Sequence, residues 1–162
     1  VDLAFVSTDL QVNKPLRMKK LREYHEVLIG GSRYTELKGR KVSLEELSAY
    51  PWISLTSEAL TRKFLNDYFA EHGLQFSPDM ELATTDMILP AVRHNLGLGF
   101  IPAEFADAEL KSGQVFEIKV KEKLPERNIV LIYDMEYPQS IAAKEFQKFL
   151  KEKDNESANY KK

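Results

Sequence analysis

A short glycine-punctuated segment, VRHNLGLGFIPAEFADAEL from Val92 to Leu110, constrains the fold more than any other part of the chain. Gly97 stands just past a periodic apolar segment, where glycine ends a helix easily because it adopts a left-handed backbone freely. The apolar run Leu98–Ile101 is too short for a helix and is typical of a buried strand. Pro102 has a fixed φ and no N–H, so it suits the first position of the next helix. The segment therefore predicts a helix, a tight turn, a buried strand and a second helix, which is half of a wound α/β unit.

The rest of the chain shows the same alternation of strand and helix patterns. Val27–Ile29 is short and apolar and Trp52–Leu55 is short and mainly apolar, as buried strands are, whereas Leu60–Phe69 carries apolar residues at helical spacing. Alternation of this kind as far as Ile101 predicts a sheet with parallel strands and flanking helices. Further strands are predicted at Val1–Val6, Met80–Thr84, Gln114–Val120 and Asn128–Tyr133, and further helices start at Ser43, at Thr85 or Asp86, and at Ser140.

The composition limits the classes of protein to which the chain could belong. Its 162 residues suffice for one domain or for two small lobes. A net charge of −2 argues against broad electrostatic binding of nucleic acid, and the absence of cysteine excludes disulfides and thiolate metal sites. The sequence has no signal-peptide pattern and no apolar run of membrane-spanning length, which indicates a cytoplasmic protein without membrane contact. The tail from residue 153 to 162 lacks apolar periodicity and is predicted to be disordered.

No set of residues supports enzyme chemistry. His25, His72 and His94 lie far apart in the sequence and match no metal-ligand spacing, and no catalytic or phosphate-binding motif occurs. Glu81 and Asp86 could be imagined as an acid–base pair, but a strand-edge charge and a helix cap are the ordinary roles for residues in these positions. We therefore expect no catalytic residue, no metal site and no cofactor.

Hydroxyl-bearing residues cluster where strands lead into helices. Helix N-termini present free N–H groups and a partial positive charge, so they bind carboxylates and sulfates, and flanking hydroxyls add further hydrogen bonds. In open α/β sheets, ligands bind beyond the carboxyl ends of the strands. The same residues could instead serve only as helix caps, and the sequence leaves both roles open. The candidates for binding a small anionic ligand are Ser7, Thr8, Thr56, Ser57, Thr84 and Thr85.

An ordered series of sequence blocks resembles the effector-binding domain of LysR-type transcriptional regulators. The blocks are VDLAFV, a strand–helix pair that begins YPWISL and ends HG, ELATTDMILPAVRHNLGLGFIPAEFADAEL, PERNIVL and PQSIAAKEFQKFL. The third block is the most specific, because in that family a helix ending in alternating glycines runs into a strand and a proline. Each block alone is weak, but their order from Val1 to Leu150 makes the resemblance strong.

The resemblance implies a type II periplasmic-binding-protein-like fold, an α/β architecture with a mixed sheet, flanking helices and an effector cleft between two lobes. By position in the blocks, the cleft contacts would be the six hydroxyl residues, and Phe100 and Pro102 would lie on the cleft wall. The second lobe would span residues 22–134 and be complete, while the first lobe would hold residues 1–21 and 135–152 and be partial. In that family, effector binding shifts the lobes and thereby the DNA-binding domains of a tetramer.

Two departures from the family pattern shape the expected partners. The sequence lacks a winged helix-turn-helix, so we expect no direct contact with DNA, and it lacks the first strand–helix–strand of the first lobe. A lone strand Val1–Val6 and a lone helix Ser140–Leu150 cannot enclose a core, so Phe146, Phe149 and Leu150 should stay partly exposed. We therefore expect a homo-oligomer, most simply a two-fold dimer, although folding of both elements onto the second lobe would leave a monomer.

Two other functions compete with that of a regulator's ligand-sensing domain. A solute-binding protein of a transporter would share the fold but should carry a signal or a lipid anchor, and none is visible. An enzyme on this fold would need a catalytic set that the sequence does not offer. Ligand-sensing control of transcription is thus the leading expectation, with a small carboxylate or sulfate-like effector as the partner.

Overall fold

Two compact units make up the structure, a computed structural model that describes residues 2–7 and 12–159 and the side chains of these ranges as far as Glu152. Unit 1 consists of Val1–Arg22 and Ile129–Lys162, and unit 2 consists of Glu23–Asn128. The chain first passes from unit 1 to unit 2 after Arg22, one residue later than the sequence predicts. The chain returns to unit 1 after Asn128, whereas the sequence predicts the return after Asp134. The difference arises because residues 129–133 pair with the strand Leu3–Ser7 of unit 1.

Strands and helices follow one another along the chain. The strands are β1 (Leu3–Ser7), β2 (Leu16–Tyr24), β3 (Glu26–Gly30), β4 (Lys41–Val42), β5 (Trp52–Leu55), β6 (Met80–Leu82), β7 (Leu98–Pro102), β8 (Phe116–Val120) and β9 (Arg127–Asp134). The helices are α1 (Leu44–Leu47), α2 (Leu60–Glu71), α3 (Ile88–Arg93), α4 (Ala103–Ser112) and α5 (Ile141–Asn159), and single 3-10 turns lie at Ser32–Leu37 and Thr85–Met87.

Unit 2 is built on a mixed sheet whose strand order is β4-β8-β3-β7-β5-β6. β5 runs parallel to β6 and β7, whereas β3 is antiparallel to β7 and β8. The predicted mixed sheet with flanking helices is therefore confirmed. The strand predicted for Trp52–Leu55 has its predicted ends.

Side chains alternate across the sheet of unit 2 and supply one apolar core on each face. Trp52 of β5 lies in a cluster rich in aromatic rings, where it packs against Phe69 and Phe76 at centroid distances of 5.4 Å. Ile53, the next residue, lies in the second cluster, together with Val92 of α3. A strand that is buried on both faces needs apolar residues at nearly every position, which explains why Trp52, Ile53 and Leu55 of β5 are apolar and only Ser54 is polar.

The glycine-punctuated segment adopts the predicted order of helix, turn, strand and helix, but its glycine has a different role. The left-handed residue at the helix end is Asn95, with a φ of 62°, a conformation that asparagine tolerates. Gly97 is required by close packing, because a Cβ there would lie 2.6 Å from the carbonyl oxygen of Pro51. The Leu98 N–H donates to the same oxygen at 2.8 Å. Pro102 ends β7 and is the N-cap residue of α4, one position before the predicted one.

Unit 1 contains a three-stranded sheet, in the order β1-β9-β2, and helix α5. β1 pairs antiparallel with β9, with Leu3 opposite Tyr133. The expectation of a lone strand in the first lobe is wrong, because β9 and β2 both extend into this sheet. Phe5 of β1 meets Phe146 of α5 edge to face, with ring centroids 5.6 Å apart.

Helix α5 continues to Asn159, past the predicted helix end at Leu150 and into the tail that was expected to be disordered. Lysine and glutamate are good helix formers, so the run Lys151–Lys153 extends the helix without an apolar stripe. Residues 160–162 lie outside the described range. Within the described part of the chain, no helix combines the length and the apolar character that spanning a membrane requires.

Candidate functional site

Four candidate residues lie at one edge of the sheet of unit 2, which we call the hydroxyl edge: Thr56, Ser57, Thr84 and Thr85. β5 and β6 run parallel with Leu55 opposite Leu82, so both strands end at this edge. The Thr56 N–H donates to the Leu82 carbonyl oxygen at 3.2 Å and continues the pairing beyond β5. Ser57 and Thr84 are exposed and the other two are half-buried. The edge therefore presents several hydroxyl groups on adjacent strand ends.

The hydroxyl edge does not cap the helices that follow it. α2 begins at Leu60, its N-cap residue is Ala59, and no side chain caps it. Thr84 is the N-cap residue of the 3-10 turn that precedes α3, again without a capping side-chain hydrogen bond. By contrast, Ser43 caps α1 as predicted, since its hydroxyl accepts from the Glu46 N–H at 3.2 Å. The structure thus does not support the capping role that the sequence left open for the four residues of the edge.

Glu58 engages part of the hydroxyl edge with its own carboxylate. The Ser57 hydroxyl donates to Glu58 Oε1 at 2.8 Å. Hydrogen bonds from the Ser57 hydroxyl, from the N–H of Glu58 itself and from the Thr56 hydroxyl lower the pKa of the Glu58 carboxyl below its ordinary value. The carboxylate is fully exposed, so water competes for these hydrogen bonds. This contact establishes that the edge offers donors to a carboxylate.

An arginine ties α2 to the ends of β5 and β6. The Arg62 guanidinium donates to the carbonyl oxygen of Leu55 at 3.1 Å and to Glu81 Oε1 at 2.6 Å. It also lies over the ring of Phe76, at 5.5 Å from the centroid. Glu81 is thus committed to an ion pair at a strand edge, which is the ordinary role expected for it, and is not positioned as a free general base.

A buried ion pair, Glu26–Arg127, lies beside the first turn of α2. Arg127 donates to Glu26 Oε1 at 2.5 Å, and the Arg127 and Glu26 side chains are 3% and 1% exposed. Arg127 also donates to the Thr61 hydroxyl at 2.9 Å and lies over the Phe64 ring at 4.6 Å. Burial raises the pKa of the Glu26 carboxyl, and the Arg127 charge opposes this rise. Because Thr61 is the second residue of α2, the pair holds the start of the helix that follows the hydroxyl edge.

The remaining candidates lie elsewhere. Phe100 is 3% exposed and packs between Trp52, with ring planes 9° apart, and Tyr68. The aromatic core encloses this ring, so the placement of Phe100 on a cleft wall was wrong and the residue belongs to the core. Pro102 is half-buried at the end of β7. Ser7 ends β1 in unit 1, and Thr8 lies outside the described residues.

The sequence reasoning missed Glu58, Arg62 and Arg127. Arg62 carried a detectable signal, because it shares one face of α2 with the buried Leu65 and Phe69, and a charge at a core position indicates a buried partner. Arg127 carried none, since the apolar pattern of β9 begins after it. Among the side chains that the structure describes, no group of three or more His, Asp or Glu residues could hold a metal ion.

Comparison with known proteins identifies relatives among transcriptional regulators. The family model of the LysR substrate binding domain matches residues 1–155. The uncharacterized HTH-type transcriptional regulator YeiE of Escherichia coli K12 is 27% identical over 120 residues, which cover 74% of this chain and 40% of that protein. The HTH-type transcriptional activator CmpR of Synechocystis is 25% identical over 138 residues, which cover 85% of this chain and 45% of that protein. The chain thus spans about half the length of the curated relatives it matches.

Solved structures show the same architecture at lower identity. The CcmR regulatory domain of Synechocystis PCC6803, in complex with 2-PG, is 18% identical with a TM-score of 0.76, over 92% of this chain and 71% of that chain. The effector binding domain of QuiR, in complex with shikimate, is 19% identical with a TM-score of 0.76, over 92% of this chain and 69% of that chain. These likenesses confirm the type II periplasmic-binding-protein-like fold. Since the family model matches residues 1–155, the chain belongs to the LysR substrate-binding domain family.

Proposed function

We propose that this chain is the ligand-sensing domain of a LysR-type transcriptional regulator and that a small anionic effector binds at the hydroxyl edge. The observation that supports this site is that four hydroxyl residues lie on adjacent strand ends, where none of their side chains caps a helix. The hydrogen bond from Ser57 to Glu58 supports the charge class, because the edge already accommodates a carboxylate. YeiE and CmpR support the regulatory role, since both are transcriptional regulators and neither is a transporter component.

The proposal extends to the cellular context of the chain. A regulator of this kind acts on DNA in the cytoplasm through a domain other than this one, and this domain catalyses no reaction. The structural neighbours CcmR and QuiR bind 2-PG and shikimate, so these two molecules are suitable first probes beside sulfate. The effector itself is a carboxylate or a sulfate-like anion, because hydroxyl and N–H donors on strand and turn ends suit such groups.

A binding titration with sulfate, 2-PG and shikimate examines this site. Replacing Thr85 with Ala should weaken binding by about 1 kcal/mol, the net worth of one hydrogen bond, which corresponds to roughly a fivefold rise in Kd. Thr35→Ala is the matched control, because Thr35 is exposed in the 3-10 turn Ser32–Leu37 of unit 2 and lies outside the hydroxyl edge. Equal affinities of the Thr85→Ala and wild-type proteins, or an anion bound only elsewhere in a crystal, would contradict the proposed site.

We also propose that the protein forms a homodimer through unit 1. Phe5 and Phe149 are 49% and 50% exposed, and Ile141 at the start of α5 is 82% exposed. β1 and β2 are the outer strands of the unit 1 sheet. Apolar surface beside outer strands favours association with a second copy of the chain.

A further inference from the structure

Arg127 joins three segments of unit 2 that lie far apart in the sequence. Residues 23–26 are the entry segment, by which the chain enters unit 2, and residues 127–128 are the exit segment, by which it leaves. The Arg127 guanidinium donates to Glu26 Oε1 at 2.5 Å and to the Thr61 hydroxyl, in the first turn of α2, at 2.9 Å. One side chain of the exit segment therefore contacts both the entry segment and the start of α2.

Two aromatic rings contact the same guanidinium. Arg127 lies over the Tyr24 ring, at 5.4 Å from its centroid, and over the Phe64 ring, at 4.6 Å. Tyr24 belongs to the entry segment and Phe64 belongs to α2. A planar guanidinium can donate hydrogen bonds from its edge while it lies against aromatic rings. The ring contacts thus link the same three segments as the hydrogen bonds do.

The entry segment depends on Arg127 for the position of its buried carboxylate. Among the residues that the structure describes, Glu26 Oε2 has no hydrogen-bond partner, and the Glu26 side chain is 1% exposed. A buried carboxylate that loses its cation is strongly destabilising. A displacement of Arg127 that breaks the ion pair therefore destabilises the entry segment as well.

We propose that Arg127 makes the entry segment, the exit segment and the first turn of α2 one cooperative unit, so that a displacement of α2 reaches both ends of unit 2. The coupling follows from contacts within unit 2 and needs no ligand. A ligand that moves α2 would act through Arg127 on the two segments that continue into unit 1. This last consequence rests on the proposed function, whereas the coupling itself does not.

Hydrogen exchange of the full chain, followed by NMR without any ligand, measures the coupling. One reporter is the Lys63 N–H, which donates to the Ala59 carbonyl oxygen at 3.0 Å in the first turn of α2. The other is the Ala103 N–H, which donates to the His25 carbonyl oxygen of the entry segment at 3.1 Å. Protection factors, which correct for the intrinsic exchange rate of each amide, compare the two sides of the proposed unit.

Thr61→Val is the test, because it removes the hydroxyl that Arg127 contacts and keeps the β-branched shape. Protection should fall about fivefold at both Lys63 and Ala103, the effect of one lost hydrogen bond in a cooperative unit. In the background Glu26→Met, Arg127→Met, the same change should leave the protection of Ala103 unaltered, because the connecting side chain is gone.

Arg62→Met is the matched control. Arg62 is also a buried arginine, but it ties α2 to β5 and β6 through the Leu55 carbonyl oxygen and Glu81. It should lower the protection of Lys63 and leave that of Ala103 unchanged, and an equal fall at Ala103 would overturn the role of Arg127. This comparison needs no change at Arg127, so it decides the proposal even where the double variant does not fold.

The remaining outcomes also decide the proposal. A loss of protection at Ala103 in Thr61→Val that is absent from the double-variant background supports the coupling, and a loss that persists there overturns it. A loss at Lys63 alone overturns it, because the start of α2 would then open independently. An equal loss at the Leu98 N–H, at the opposite end of β7, overturns it as well, because global stability would then explain the change. None of these measurements involves an effector, so each outcome leaves the proposed function to its own titration.

Discussion

Unit 2 and unit 1 are both built from strands and helices, but unit 2 buries most of its large apolar side chains and unit 1 leaves several of them exposed. In unit 2, helices cover both faces of the sheet, and Phe69 is 1% exposed. In unit 1, Phe5 and Phe149 remain about half exposed, and a groove of about 480 Å³ opens between residues such as Ala4 and Ile132. Apolar periodicity is present in both units. The apolar periodicity of a strand or helix therefore determines which of its residues face a core. Whether that core is shielded from water depends on how many layers of helix and sheet pack around it.

Deleting one aromatic ring from each unit gives the largest expected contrast. Phe69→Ala should lower the free energy of unfolding by about 3–5 kcal/mol, because it leaves a cavity among the rings of Trp52 and Phe76. Phe149→Ala should lower it by less than about 1 kcal/mol, because half of that ring already contacts water. Urea unfolding at concentrations low enough to exclude association measures both. Similar losses in the two variants would remove the distinction between the units.

The second contrast is between a buried ion pair of unit 2, Glu26–Arg127, and an exposed one, Arg40–Glu46. Arg127→Met should lower the free energy of unfolding by about 3 kcal/mol, since it leaves the Glu26 carboxyl buried without its partner. The double variant Glu26→Met, Arg127→Met should regain much of this loss. Arg40→Met serves as the control: it breaks an exposed pair with Glu46 and should cost less than about 1 kcal/mol. If the double variant is as unstable as Arg127→Met, the guanidinium stabilises the fold through its packing on neighbouring rings and not through its charge pairing with Glu26.

Loss of association should follow from a charge placed on the exposed face of unit 1. The wild type should be a dimer at micromolar concentration by light scattering, and Phe149→Asp should be a monomer, because a buried aspartate at an interface is strongly unfavourable. Phe105→Asp is the matched control, since Phe105 is 55% exposed on α4 of unit 2 and should leave the dimer intact. A wild type that is already monomeric would refute the dimer.

Much of unit 2 could be predicted from the sequence, because its elements are specified locally. Trp52–Leu55 is a short, mainly apolar run between a proline and polar residues, and such a run has few alternatives to a buried strand. The order helix, turn, strand and helix around Gly97 was also predictable. The role of Gly97 was not, since its contact with the Pro51 carbonyl depends on two strands brought together by the fold.

Unit 1 and the charged partners of the site were harder to predict, because they depend on pairing between distant segments. Nothing in the sequence near Asp134 shows that β9 pairs with β1, so the sequence places the end of the second lobe at Asp134, whereas unit 2 ends at Asn128. The hydroxyl edge was found from strand ends alone. Glu58 was overlooked because an exposed glutamate beside a serine is common in any sequence, and only the 2.8 Å contact distinguishes this one.

The smallest expected effect concerns pH, and it follows from the closed interior of unit 2. Burial raises the folded-state pKa of the Glu26 carboxyl above its ordinary value of 4.5. A raised folded-state pKa means that the folded protein binds the proton more tightly than the unfolded chain does. The stability that Glu26 contributes in this way is fully present below the unfolded-state pKa and is lost as the pH rises through the folded-state value.

Glu26→Gln cannot titrate, so it isolates this contribution. The free energy of unfolding of the wild type minus that of Glu26→Gln should decrease as the pH rises above the ordinary glutamate pKa of 4.5. Glu46→Gln should show the opposite sign, because the hydrogen bond from Arg40 lowers the pKa of the exposed Glu46 carboxyl, whose contribution is lost as the pH falls. Urea unfolding of the three proteins across this range and below it provides the measurement. A wild-type advantage over Glu26→Gln that grows with pH would mean that attraction to Arg127 outweighs burial, and that the interior of unit 2 stabilises the ionised carboxylate.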